Sequence, residues 1–175
     1  KDVQLNFATF GPGSSPHFYG MLFEKTTQVA AEPIAYKGSG DAAKDMLAGR
    51  IDFMFDSMTT AIANVKAGKL VALAITSPQR SALLPDVPTL KELGHGGVDV
   101  NFWLALQVPA RTPPEIVSAL RQAMSRAVQD PEYKQGVAAR GVENLHVAPE
   151  QLDALFASET RRWRDAALSI GIKAE

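Results

Sequence analysis

Short apolar runs alternate with helix-like segments through the first 76 residues, and that alternation constrains the fold more than any other feature of the chain. Residues 3–10 alternate and are rich in Val, Leu and Phe, which predicts a strand. The cluster Gly11-Pro12-Gly13-Ser14-Ser15-Pro16 is a turn, and a helix is expected to begin near Ser15 or Pro16, because Pro suits the first helical position and Ser the cap. Residues 33–36 form a second expected strand, 42–47 a short helix stopped by Gly49, 51–55 a third strand, 61–66 a helix stopped by Gly68, and 70–76 a fourth, nearly all-apolar strand. A β-α-β-α-β-α-β order with short connections implies a parallel sheet with right-handed crossovers.

In such sheets ligands bind beyond the carboxyl ends of the strands. Those ends carry residues 11–15, 37–40, 56–60 and Ser77, which are mostly small and hydroxyl-bearing. The segment Tyr36-Lys37-Gly38-Ser39-Gly40-Asp41 runs from a strand into a helix start. The first N–H groups of a helix lack intrahelical acceptors and sit at the positive end of its dipole, so such a start suits an anion. Taken alone, the stretch reads first as a simple helix cap by Ser39 or Asp41, ahead of a ligand role. Several such starts on one edge make a donor-rich rim that favours a ligand role. Lys37 is the one cation in the rim loops, and its ordinary fate is a solvated surface side chain. Asp56 is the rim acid. It either caps the next helix or accepts a donor from a ligand or a neighbouring loop, and direct contact with a bound carboxylate would be repulsive.

Beyond residue 76 the chain is first irregular, with Pro78, Pro85 and Pro88, then a short helix is expected over 88–93 and an extended run over 98–108 containing Phe102 and Trp103. These two aromatics are either core or cleft wall. From Thr112 the character changes to helical. Thr112-Pro113-Pro114-Glu115 reads as a capping box opening a helix to about Gln129. Residues 131–139 read as a second helix, 142–147 as a short strand, and 149–170 as a long amphipathic helix.

Composition narrows the chemistry. Residues 1–100 carry 9 basic and 10 acidic side chains, and the remainder 9 of each, so there is no basic face for nucleic acid. The chain has no Cys, which excludes disulfides and thiolate metal sites. His17, His95 and His146 are not paired at metal-ligand spacing, so no metal site or cofactor is expected. Gly11 and Gly13 begin a dinucleotide fingerprint, but Pro16 stands at its third glycine. A Ser-His-Asp hydrolase assembled from Ser14, His17 and Asp56 lacks a nucleophile elbow. Apolar runs are too short to span a bilayer, and no signal-peptide pattern opens the sequence at Lys1-Asp2-Val3.

Six stretches occur in an order and spacing that resembles the Bug family, the extracytoplasmic receptors of tripartite tricarboxylate transporters. They are Gly13-Ser14-Ser15 with His17, Tyr36-Lys37-Gly38-Ser39-Gly40, Phe55-Asp56-Ser57, Ala67-Gly68-Lys69-Leu70, Leu84-Pro85-Asp86-Val87-Pro88-Thr89, and Pro109-Ala110 with Thr112-Pro113. The resemblance implies an α/β, periplasmic-binding-protein type II-like lobe with a mainly parallel sheet over residues 1–103. Residues 104–175 would then be the helical C-terminal part of a second, incomplete lobe. It implies a periplasmic, non-catalytic protein that captures a small organic carboxylate for membrane transporter subunits, with no cofactor. Ligand carboxylates would be held by backbone N–H groups, hydroxyls and water. Carried over by position, the site residues are Ser14, Ser15, Gly38, Ser39 and Asp56, with His17, Lys37, Ser57 and Trp103 as further candidates. Family members carry more chain before the first strand, so the expectation is a fragment or shortened member whose exposed helical faces pair as a homodimer. A ligand-sensing regulatory domain of the same architecture is the alternative, and a small hydrolase the third reading.

Overall fold

The computed structural model of the chain describes residues 4–96, 105–142 and 147–172. Three strands and six helices follow in the order β1 (Leu5–Thr9), α1 (Ser15–Thr27), β2 (Ala31–Ala35), α2 (Ser39–Leu47), β3 (Phe53–Met54), α3 (Met58–Lys66), α4 (Pro114–Ala127), α5 (Pro131–Ala138) and α6 (Pro149–Ser169). The strands form one parallel sheet in the order β2-β1-β3. Leu5 to Thr9 pair with Ala31 to Ala35, and Phe7 and Ala8 pair with Phe53 and Met54. The expected α/β architecture is present, with a helical C-terminal portion.

Alternation along β1 sends successive side chains to opposite faces. Phe7 and Ala8 are both fully buried, on different sides. Ala8 packs with Ala42 of α2 and with Ile51. Phe7 stacks on Phe53 at 5.4 Å and meets α1 at Gly20, where a Cβ would collide with the Phe7 ring. Further along α1, Phe18, Tyr19 and Leu22 form a second cluster with Leu90, joined by Phe55 and, from the far end of the chain, Trp163, Ala166, Ala167 and Ile170. The C-terminal helix α6 therefore lies against the α/β part.

Several expectations change. Residues 70–76 are not a strand: the segment makes a single parallel bridge, Ile75 with Thr89, and Val71 and Leu73 are 82% and 72% exposed. A strand is held by backbone pairing with a neighbour, and β3, only two residues long, pairs with β1 alone. The helix expected over 88–93 is a turn closed by the Leu93 N–H to Thr89 O bond at 3.2 Å. Thr89 and Glu92 still make the reciprocal bonds of a capping box: Glu92 Oε2 accepts from Thr89 N–H at 2.7 Å, and Thr89 Oγ1 from Glu92 N–H at 3.1 Å. Those bonds, led by the Thr89 N–H and followed by the Arg80 guanidinium, hold the Glu92 carboxyl below its ordinary value. The expected box at Thr112 and Glu115 does not form, since α4 starts a residue later with Pro113 in the cap position and no side-chain cap. α5 is capped instead by Asp130, whose Oδ1 accepts from Tyr133 N–H at 2.9 Å. Most of the strand expected over 142–147 and most of the extended run over 98–108, including Phe102, lie outside the described residues.

Two glycines inside helices separate packing from propensity. Gly20→Ala is expected to cost roughly 1–3 kcal/mol, because the Phe7 ring is boxed in and cannot yield. Gly136→Ala meets only the Arg140 guanidinium at 3.6 Å and is expected to stabilise by ~0.5–1 kcal/mol through helix propensity. Urea midpoints of the two variants check both signs.

Burial pushes the Tyr19 phenol up from 10.0 to about 12, against a smaller opposing effect of its hydrogen bond with Thr76. The folded chain thus holds this proton more tightly than the unfolded one. Its contribution to stability is complete below pH 10.0 and declines as pH rises through about 12. Alkaline denaturation of Tyr19→Phe, followed by circular dichroism, is expected to lack this part of the decline.

Candidate functional site

Because the three strands are parallel, they end on one edge of the sheet, and α1, α2 and α3 all start there. Their caps are Ser14, Gly38 and Ser57, none with a side-chain capping bond. α2 begins at Ser39, before the expected residue 42, and α3 at Met58, before the expected residue 61, so Ser39 is the first helical residue and not a cap. The first helical bonds are Phe18 N–H to Ser14 O, Ala42 N–H to Gly38 O, and Thr60 and Ala61 N–H to Ser57 O. The N–H groups of Ser15, His17, Ser39, Gly40, Asp41, Met58 and Thr59 have no acceptor among the described residues. Three helix starts thus point unbonded amides and positive dipole ends toward one edge.

A single carboxylate ties two of these starts together. Asp56 Oδ1 accepts from Ser39 Oγ at 2.8 Å and from its neighbour's N–H, Ser57 N, at 2.8 Å. The loops after β2 and β3 are therefore joined across the end of β1. Of the roles left open for Asp56, the one observed is acceptance from a neighbouring loop. Around it, Ser57 Oγ lies 2.8 Å from Thr59 Oγ1 and 2.9 Å from Thr60 Oγ1, and Thr60 Oγ1 donates to Ser57 O.

The loop after β1 is closed on itself. Ser14 Oγ donates to Gly11 O at 2.7 Å and accepts from Phe10 N–H at 3.2 Å. Gly11 and Gly13 adopt φ of +98° and +78°, the left-handed region that glycine occupies without strain. His17 Nδ1 accepts from Gly13 N–H at 3.3 Å, which puts the ring proton of the neutral imidazole on Nε2. A serine hydroxyl has one hydrogen to give. Those of Ser14 and Ser39 are already given to protein oxygens, so the uncommitted donors of this rim are mainly backbone N–H groups.

Of the predicted site residues, Ser14, Ser15, His17, Gly38, Ser39, Asp56 and Ser57 fall on this edge. Lys37 is exposed at its margin and makes no ion pair among the described residues. Trp103 lies outside the described residues. Thr59 and Thr60, part of the hydroxyl-rich rim stretch 56–60 but not singled out as site residues, enlarge the hydroxyl group of α3. Ser77 ends no strand: its hydroxyl donates to Gln79 O at 2.6 Å in the following loop. Among the described residues no group of three or more metal-ligating side chains exists, and no helix is long and apolar enough to cross a membrane.

The tie between the two loops has a measurable strength. A double-mutant cycle on Ser39→Ala and Asp56→Ala is expected to give a coupling of about 1 kcal/mol in urea unfolding, and a value below ~0.3 kcal/mol would mean the bond does not hold in solution.

The family model described as "Tripartite tricarboxylate transporter family receptor" matches residues 1–172. A protein encoded in the tcbD-tcbE intergenic region of a Pseudomonas species is 36% identical over 162 residues, which are 92% of this chain and 48% of that protein. BugT of Bordetella pertussis is 33% identical over 170 residues, 97% of this chain and 52% of BugT. The chain thus spans about half the length of these relatives. Three solved structures share the fold. Rpa4515 of R. palustris, solved with adipate, has a TM-score of 0.88 at 26% identity, with 95% of this chain and 56% of that one covered. MatC of Rhodopseudomonas palustris, solved with bound malate, has 0.82 at 32% identity, with 93% and 56% covered. The periplasmic binding protein BugD has 0.89 at 28% identity, with 98% and 58% covered.

Proposed function

The chain belongs to the tripartite tricarboxylate transporter receptor family, the Bug-type receptors, and on that premise we propose that it supplies one wall of a binding site for a small organic carboxylate. The observation that carries the reading is the set of unbonded amides at three neighbouring helix starts. A carboxylate placed there accepts from neutral donors aligned with helix dipoles and needs no arginine. The Asp56 carboxylate acts as a brace that holds the Ser39 and Ser57 starts together. In that role its charge is partly satisfied by two donors, which limits repulsion of an anionic ligand. The amides of Ser15, Ser39, Gly40, Asp41, Met58 and Thr59 are the proposed seat, with Ser14, Gly38 and Ser57 as the caps that shape it and the His17 and Lys37 side chains at its margin.

Two structural relatives support the ligand class, since they were solved with the dicarboxylates adipate and malate. Delivery to transporter subunits and a periplasmic location follow from the same family premise. In this reading residues 1–103 are a ligand-binding lobe and 104–175 the returning part of the other lobe. The pairing of two copies expected from the sequence draws no support from the relatives. Nothing in the reading calls for catalysis, and no metal or cofactor enters it.

Adipate and malate, titrated into the chain by calorimetry and followed by thermal unfolding, are the direct test. A ligand at 100-fold its Kd is expected to stabilise the fold by about 2.7 kcal/mol through mass action. Ser39→Ala is expected to weaken that ligand about tenfold by releasing the α2 start from Asp56, and Ser14→Ala by loosening the loop before α1. Stabilisation left untouched by both substitutions would remove the site assignment.

A further inference from the structure

We propose that the C-terminal helical segment sets where two of the three rim helices begin, with Trp163 and Gly141 as the positioning residues. Its consequence for ligand binding rests on the reading of the rim given above; its structural content does not.

Trp163 of α6 meets Phe18 edge-on at 4.9 Å and Tyr19 at 6.1 Å. Phe18 carries the N–H that closes the first turn of α1, and it follows His17 directly. Tyr19 in turn stacks on Phe55 at 5.5 Å, the residue before Asp56. An unbroken file of rings therefore runs from α6 to the base of both rim loops. The rest of the contact fixes α6 lengthwise. Ala166, Ala167 and Ile170 continue along the same cluster, and Lys25 Nζ donates to Ser169 O at 2.8 Å, at the negative end of the α6 dipole.

A separate contact reaches the third helix. Gly141, after α5, has φ +72°, and a Cβ there would run into the Met58 side chain and stand 3.3 Å from Leu83 Cδ1. Met58 is the first residue of α3, next to its cap Ser57. The chain reversal after α5 is thus laid on the α3 start. By contrast α2 is anchored on the other face of the sheet, where Ala42 packs with Ala8 and Ile51. The C-terminal segment accordingly holds α1 and α3, while α2 is placed by the sheet, by the Tyr36–Asp45 bond and by the Ser39–Asp56 bond. Side chains that reach no ligand donor thereby govern the spacing of two of the three donor groups.

The three helices provide their own control. Amide hydrogen exchange, followed by NMR on the whole chain, reads Phe18, Ala61 and Ala42, which close the first turns of α1, α3 and α2. Trp163→Ala is expected to speed exchange of Phe18 by about tenfold and leave Ala42 within about twofold. Gly141→Ala is expected to do the same to Ala61. A uniform rise at all three amides would mean only a general loss of stability and would overturn the proposal, as would no change at Phe18 and Ala61. If Trp163→Ala does not fold, Trp163→Phe decides by the same pattern, because it shortens the ring contact without emptying the site. Calorimetry with adipate and malate runs in parallel. A wild-type chain that binds neither, with the selective exchange pattern intact, would remove the ligand reading and leave the positioning role standing. Binding unchanged in a variant whose Phe18 exchange has risen would detach the positioning role from affinity and overturn that part of the proposal.

Discussion

Parallel pairing of β1 with a strand on each side is the constraint from which the other features follow. A parallel ladder makes neighbouring strands end at the same edge, and each crossover must then begin its helix there. Leu5 to Thr9 are paired along their whole length with β2, and Phe7 and Ala8 also with β3. The ladder places the caps of three helices side by side without any of them having to recognise another. It also divides the core in two, since Phe7 and Ala8 must face opposite layers. Gly20 lets α1 come down on Phe7, and the small pair Ala8 and Ala42 brings α2 close on the other side.

A rim made this way has a specific chemistry. Helix starts supply N–H groups that no carbonyl of the same helix can reach, and their dipoles add in the same direction. Such groups bind negative charge weakly one at a time and usefully in number. Side-chain hydroxyls are mostly engaged in building the rim: Ser14 closes its loop onto Gly11, and Ser39 ties α2 to Asp56. The acid in the middle of the rim is thus part of its construction. A positively charged residue in place of these donors would bind anions more strongly but with less dependence on shape, because a point charge does not fix direction as a set of amides does.

Apolar side chains are distributed unevenly between the two parts of the chain. The α/β part buries Phe7, Phe18, Tyr19 and Leu22, whereas no residue of α4 or α5 is buried and Ile116, Leu120 and Met124 are exposed along one face of α4. α6 differs from both. Its later half carries the residues that pack on α1, so the last helix contributes to the core of the first. Stability of the α/β part therefore depends on residues near the far end of the chain, which is the long-range kind of contact that helices with exposed apolar faces do not supply.

Local chemistry made much of this legible from the residues alone. Strand–turn–helix alternation, glycine stops at Gly49 and Gly68, and Ser14 before Pro16 are short-range effects, and the elements they announce are present with ends moved by a few residues. Gathering Ser14, Ser39 and Ser57 on one edge was legible too, because parallel topology alone dictates it. Residues 70–76 were misread because apolar composition measures the tendency to be covered, while a strand needs a partner whose backbone is in reach. The bond between Ser39 and Asp56 was beyond sequence reasoning for a similar reason: whether a carboxylate caps its own helix or braces a neighbour depends on the distance between two loops 17 positions apart. So was the seating of Trp163 on Phe18. Periodicity assigns a tryptophan to the apolar face of its helix, but which helix that face meets is settled only when distant segments pack, since shape and not pattern selects the partner.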